Sequence, residues 1–128
     1  MLRIEATTFD GQRAVLITKG FSVDGESNLY KLMCGQVVED PLSLMVLWLY
    51  VNGMFFSTRD KDNDRHSGEC SEYLGDGGGW FINCGNINFN GIYPTGPGQQ
   101  NDNLLRWKAW KGLEGLKYFS MAIKVPRN

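Results

Sequence analysis

The sequence predicts one small domain in which an antiparallel β-sheet is joined to a coil-rich second part. Three observations predict it. Apolar and polar residues alternate near both ends of the chain, eight of the sixteen glycines lie between Gly75 and Gly98, and two cysteines bracket much of that glycine-rich stretch. A chain of 128 residues can bury a real core but falls short of two comfortable domains.

Leu2, Ile4 and Ala6 alternate with Arg3 and Glu5, the pattern of a half-buried strand. Phe9-Asp10-Gly11 supplies a turn, and Ala14-Val15-Leu16-Ile17-Thr18 reads as a second strand of β-branched type. A further turn at Asp24-Gly25-Glu26 leads into Leu29-Tyr30-Lys31-Leu32-Met33, a third strand that completes an antiparallel meander. Residues 41–56 are the most apolar stretch, and within it 41–51 is ambiguous. Leu42, Met45 and Leu49 fit a helical stripe, whereas Val46, Trp48, Tyr50 and Val51 favour a strand, so the segment is read only as a buried element. Asn52-Gly53 turns the chain into a strand at Met54-Phe55-Phe56-Ser57-Thr58. From 59 to 100 the chain is acidic, then Gly-rich, then Asn-rich. Interior glycines disfavour regular elements there, at about 1 kcal/mol each. Strand character returns over 104–110 and 116–125, where Phe119, Met121, Ile123 and Val125 share a face and Pro126 stops the strand.

Thirteen basic against fourteen acidic residues give a net charge of -1, which argues against nucleic acid as the partner. The nearest basic stripe, Arg106, Lys108, Lys111 and Lys117 beside Trp107 and Trp110, reads as a solvated strand face over a Trp-rich core. Residues 41–56 are interrupted by Asn52-Gly53 and are too short for a membrane span, which needs about 20 apolar residues. The start of the chain does not read as a secretory leader.

Asp60-Lys61-Asp62-Asn63-Asp64 sets three carboxylates at alternate positions. Like charges this close repel, and a hard divalent cation relieves the repulsion with oxygen ligands. It is not an EF-hand: counted from Asp60, the sixth residue is Arg65 rather than Gly, and the twelfth is Ser71 rather than Glu. A solvated acidic turn is the alternative. Cys70 and Cys84 enclose thirteen residues. A disulfide closing such a loop stabilises by about 3 kcal/mol in the chain-entropy model. Metal ligation by sulfur is the competing reading, but there is no CxxC and only one histidine to support zinc.

Taken together, these segments resemble the fibrinogen C-terminal domain family. Asn52-Gly53-Met54-Phe55-Phe56-Ser57-Thr58 with Asp60-Lys61-Asp62-Asn63-Asp64 is similar to its NGMxFST and DND stretch. Gly79-Trp80-Phe81-Ile82-Asn83-Cys84, Asn88-Phe89-Asn90-Gly91-Ile92-Tyr93 and Asp102-Asn103-Leu104-Leu105-Arg106-Trp107 follow in the family's order, as do Leu2-Arg3-Ile4-Glu5 and Tyr30-Lys31-Leu32 upstream.

The resemblance implies an α+β fold with a central sheet subdomain (1–58), a calcium- and ligand-binding subdomain (59–117), and a C-terminal strand (118–128) returning to the sheet. It implies one structural Ca2+ held by side chains of Asp62 and Asp64 and backbone carbonyls of His66 and Gly68. It implies a Cys70–Cys84 disulfide and a ligand pocket at Tyr73, Asn83, Cys84, Gly85 and Asp102, with a cis peptide at Asn83-Cys84. The function implied is an extracellular, secreted recognition module. One form is a lectin for acetylated glycans in innate immunity. The other is a protein-binding module of angiopoietin-like or fibrinogen type, in an oligomeric parent.

The sequence also departs from the family. Set against the family, it is expected to begin at the central subdomain, as a fragment, a truncated gene product or an unusual member, with the leader not in this chain. Residues 36–51 are apolar where the family is polar. Gly85 stands where many members carry a histidine after the second cysteine, and Cys34, read as a buried thiol, replaces an aliphatic residue. Catalysis finds no support. Ser67 beside His66 does not make a triad, and Asp60 with Asp64 would need one buried carboxyl to divide acid and base roles.

Overall fold

The computed structural model describes residues 1–44, 51–64, 66–82, 84–85, 87–125 and 127. Ten short strands, two four-residue α-helices and one 3-10 turn at Glu26–Asn28 make up the regular structure among these residues. Strand β1 (Leu2–Thr7) pairs antiparallel with β2 (Arg13–Thr18) on one side and with β10 (Tyr118–Ile123) on the other. β2 pairs in turn with β5 (Val37–Glu39), giving a four-stranded sheet in the order β10-β1-β2-β5.

The period-2 pattern decides which face is buried. Leu2, Ile4 and Ala6 of β1 and Ala14 and Leu16 of β2 are all buried on one face. Glu5 on the other face is bridged by Arg3 and Arg13. The β1–β2 turn is tied by Thr8, whose hydroxyl accepts from the Gln12 N–H at 2.9 Å, with Gly11 at φ +90°. That left-handed backbone is what a glycine supplies at little cost.

Three two-residue ladders carry the rest. β3 (Ser22–Val23) pairs with β4 (Leu32–Met33), β6 (Phe56–Ser57) with β7 (Gly79–Trp80), and β8 (Ile87–Asn88) with β9 (Arg106–Trp107). Helix α1 spans Cys70–Tyr73 and helix α2 spans Lys108–Lys111.

The expected meander is therefore corrected. The third neighbour in the sheet is β5, while Leu32–Met33 folds back on β3. Leu29 and Tyr30 sit at φ 52° and 53°, a left-handed conformation that cannot continue a strand. The strand expected over 104–110 is only β9, because the chain turns into α2 at Lys108. The expectations for 45–50 and for Pro126 fall outside the described residues.

The core forms where the sheet's buried face meets Leu32, Leu44, Leu105, Trp107 and Leu116. A relay of rings links it to the coil-rich part: Phe56–Trp80 (5.0 Å between centroids), Trp80–Phe89 (6.2 Å), Phe89–Phe119 (5.9 Å), Phe119–Trp107 (6.4 Å) and Trp107–Trp110 (6.4 Å). Such pairs contribute about 0.5–1.5 kcal/mol each beyond area burial. No described helix is long and apolar enough to cross a membrane.

Candidate functional site

The acidic loop folds onto the start of α1. Asp64 Oδ1 accepts from the His66 N–H at 2.8 Å, and its Oδ2 accepts from the Cys70 N–H at 3.0 Å. One carboxylate thus orders the loop and caps a helix start that has no side-chain cap of its own. Asp62 accepts from the Asp64 N–H at 3.3 Å. Burial, and next to it the Asp62 carboxylate, push the Asp64 carboxyl above its ordinary value despite its two backbone N–H bonds. Asp64 is more buried than the sequence suggested, but both its oxygens are engaged by the backbone. His66 is exposed, and its Nδ1 accepts from the Gly68 N–H at 2.9 Å.

Cys70 and Cys84 form the disulfide, with Cα atoms 5.1 Å apart. The His66 ring lies within metal-ligating reach of both sulfurs, but a disulfide offers no thiolate. The coil beyond is held by close backbone approach. A Cβ at Gly77 would lie 2.2 Å from the Asn90 carbonyl oxygen, and one at Gly91 would lie 2.5 Å from Asn88 Nδ2 and 2.6 Å from the Leu104 backbone. The amide nitrogen of Asn88, buried on β8, lies within hydrogen-bond reach of the Leu74 carbonyl at 2.9 Å, the Leu104 carbonyl at 3.1 Å and the Asp102 carbonyl at 3.3 Å.

These connections bring the loop, α1, the second cysteine and the Asp102 segment around a cavity of about 530 Å³. His66, Glu69, Tyr73, Cys84, Gly85 and Asp102 are on its wall, with Arg106 and Lys108. The residues expected for the pocket, Tyr73, Cys84, Gly85 and Asp102, are thus together, and His66 and Gly68 of the loop join them. Asn83, and with it the expected cis peptide, lies outside the described residues. Tyr73 is 63 % exposed and donates its hydroxyl to Asp102 Oδ2 at 3.2 Å. Burial, reinforced by Glu72, Asp62 and Asp76, pushes the Glu69 carboxyl up from its ordinary value.

Arg106 overturns its expected place in a solvated basic stripe: it is 1 % exposed, while Lys108 and Lys117 are exposed. Its Nε donates to the Asp102 carbonyl at 2.9 Å, one terminal nitrogen donates to the Gly85 carbonyl at 3.2 Å, and the other pairs with Asp102 Oδ1 at 3.2 Å. Burial lowers the guanidinium pKa, and Asp102 opposes that shift. A buried charge of this kind must be paired. The signal was an arginine among Leu104, Leu105 and Trp107 with an aspartate four residues before it.

Comparison with known proteins follows the same geometry. Residues 1–126 match the family described as fibrinogen beta and gamma chains, C-terminal globular domain. The chain is 34 % identical over 120 residues to fibrinogen-like protein 1 of Rattus norvegicus and 32 % identical to that of Homo sapiens, covering 87 % of this chain. It spans 38 % of the length of these relatives. The fibrinogen-like globe domain of human ANGPTL2 superposes with a TM-score of 0.84 at 26 % identity, over 94 % of this chain and 55 % of that one. Lamprey fibrin D-dimer complexed with the peptide Gly-His-Arg-Pro-amide superposes with a TM-score of 0.80 at 25 % identity, over 94 % and 43 %. The chain belongs to the fibrinogen C-terminal globular domain family.

Proposed function

We propose that this chain is an extracellular, non-enzymatic recognition module that takes acetylated glycans of the innate-immunity type at the 530 Å³ cavity. One observation carries the reading: the acidic loop, the disulfide and the Asp102 segment converge on a single concave wall with hydrogen-bonding groups around it. Tyr73 offers an exposed ring face for a sugar, and the His66 imidazole and Tyr73 hydroxyl offer polar contacts. A disulfide-braced fold suits an oxidising compartment. Among the described residues, no group on the wall has the arrangement of a nucleophile with its base.

The acidic loop fits a hard cation in its donor chemistry. Two carboxylates, Asp62 and Asp64, lie close enough for one to raise the other's pKa, and each keeps oxygen lone pairs beyond its backbone bonds. Asp62 and Asp64, with the carbonyls of His66 and Gly68, would hold a structural Ca2+ that relieves this repulsion and fixes the loop on the cavity wall.

A second reading, recognition of a protein or peptide ligand, is favoured by the likeness to lamprey fibrin D-dimer, which is described in complex with a short peptide amide. Retention on N-acetylated resin decides between them, run in calcium and in EDTA with non-acetylated resin as control. Elution by EDTA and by free acetylated sugar is the expected result. Folded protein that passes through unretained would refute the glycan reading and favour the peptide one.

A further inference from the structure

We infer that the outer edge of β10 is an interface for a second copy of this chain, which pairs with it antiparallel about a two-fold axis and joins two four-stranded sheets into one. The inference is independent of the cavity and of what binds there.

The two edges of the sheet are built differently. β5 closes one side with three residues, its register against β2 shifts, and it ends in Glu39 followed by Asp40. Shortness, irregularity and charge are devices that keep an edge from pairing. β10 has none of them. Tyr118–Ile123 carries no charge and no proline, and it keeps one unbroken register against β1 over all six residues.

The hydrogen bonds show which groups this edge offers. Met1 and Lys124 exchange backbone N–H···O bonds at 2.8 Å in both directions, so the even-numbered residues of β10 turn their backbone groups toward β1. Phe119, Met121 and Ile123 turn theirs outward, and among the described residues these outward N–H and C=O groups have no partner. The side chains of the same three residues lie on the face of Leu2, Ile4 and Ala6. Phe119 and Met121 pack against the core, whereas Ile123 is 62 % exposed. Unpaired backbone and uncovered apolar surface therefore fall on one short stretch.

Symmetry then selects the pairing. A two-fold axis perpendicular to the sheet makes the strands antiparallel and keeps both apolar faces on one side, whereas parallel pairing about a two-fold puts them on opposite sides. Residues directly opposite each other share a face, so odd-numbered residues must meet odd-numbered ones. Met121 opposite the partner's Met121, with Phe119 opposite the partner's Ile123 twice, uses every outward-facing residue of both strands. A shift toward the strand start would bring Lys117 into the ladder, but its N–H is held by the Thr7 carbonyl and its own carbonyl by the Tyr93 hydroxyl. A shift the other way would set Phe119 opposite Val125, beyond the end of the strand. On the solvent face the Met121 register places Lys124 opposite the partner's Tyr118, and no lysine meets a lysine. The contact is small beside the roughly 1,200–2,000 Å² of a stable interface, so the dimer dissociates on dilution.

The test is sedimentation velocity of the whole chain over a dilution series. The wild type should pass reversibly from monomer to dimer as concentration rises and go no further. Ile123→Lys sets a charge opposite the partner's Phe119, at an exposed position, and should abolish the dimer with the urea midpoint unchanged. Tyr118→Lys puts two lysine pairs across the axis and should weaken the dimer by about 2- to 30-fold, because each cross-strand pair is counted twice. Adding Lys124→Glu should restore it, a rescue that general damage to the strand would not produce. If Ile123→Lys does not fold, the Tyr118 and Lys124 variants carry the test. A wild type that stays monomeric up to about 1 mM overturns the inference. Growth beyond the dimer overturns it as well, since β10 on the β5 edge of the next copy would give an open chain of molecules. So does a dimer that folded Ile123→Lys leaves intact, or a loss in Tyr118→Lys that Lys124→Glu fails to restore.

Discussion

Asn88→Ala is the substitution that most directly tests how the cavity is held. The Asn88 amide nitrogen lies within reach of three carbonyl oxygens, those of Leu74, Leu104 and Asp102, but has only two hydrogens, so at most two strong bonds form at once. Asn88 is 2 % exposed, Leu74 0 % and Leu104 7 %, so water does not readily replace the lost donor. Each buried acceptor left unpaired costs about 1–3 kcal/mol, giving about 2–6 kcal/mol for two. That is a large share of the roughly 5–15 kcal/mol by which a domain of this kind is stable. Urea unfolding followed by tryptophan fluorescence measures it, and Asn88→Asp should be at least as damaging because it replaces the donor with a fourth acceptor among the three carbonyls. The three carbonyls belong to the segments that carry Tyr73 and Asp102, so ligand retention should fall even where Asn88→Ala is still folded. A loss of less than about 1 kcal/mol, with retention unchanged, would refute the idea that this amide joins the segments.

Cys84→Ser should cost about 3 kcal/mol in the chain-entropy model for a sequence separation of 14, read as a lower midpoint in urea. Gly77→Ala drives a methyl to 2.2 Å from a backbone oxygen and should lower stability by about 1–3 kcal/mol, seen as a drop in Tm. Calcium at about a hundred times its Kd should add about 2.7 kcal/mol to the wild type and nothing to an Asp62→Ala/Asp64→Ala variant, by melting with and without EDTA. The Glu5 carboxyl is held below its ordinary 4.5 by Arg13 and then by Arg3, so its contribution is present above that value and is lost as pH falls through the lowered folded pKa. Glu5→Gln should therefore flatten the acid side of the stability curve, measured by melts from neutral to acid pH.

Much of this architecture could be read from residue patterns, and where it could not the reason is physical. β1 and β2 declare themselves because one face of each is buried and the alternation is uninterrupted. The disulfide was one of two readings that the cysteine pair itself allowed, and the resemblance to the family pointed to it. The third sheet strand was misplaced because Tyr30-Lys31-Leu32-Met33 has strand composition, yet local left-handed backbone at Leu29 and Tyr30 turns it onto β3. β5 has only three residues, all exposed, and shows no burial alternation to read. Arg106 was read as solvated because charge on a strand between lysines and tryptophans usually faces water. Its burial depends on Asp102 and the Gly85 carbonyl, and the latter lies 21 positions away in the chain.

The pairing of β1 with β10 has a consequence for how the molecule is made. Met1 and Lys124 exchange backbone hydrogen bonds across 123 positions of sequence, so the second edge of β1 stays open while the intervening chain emerges from the ribosome. Contacts of such long range slow folding, because the loop must close before the pairing rewards it. During that interval β1 is an unpaired template that β10 of another copy could fill as well as its own. The same stitch that seals the finished sheet is therefore the place where two growing or crowded chains would exchange strands.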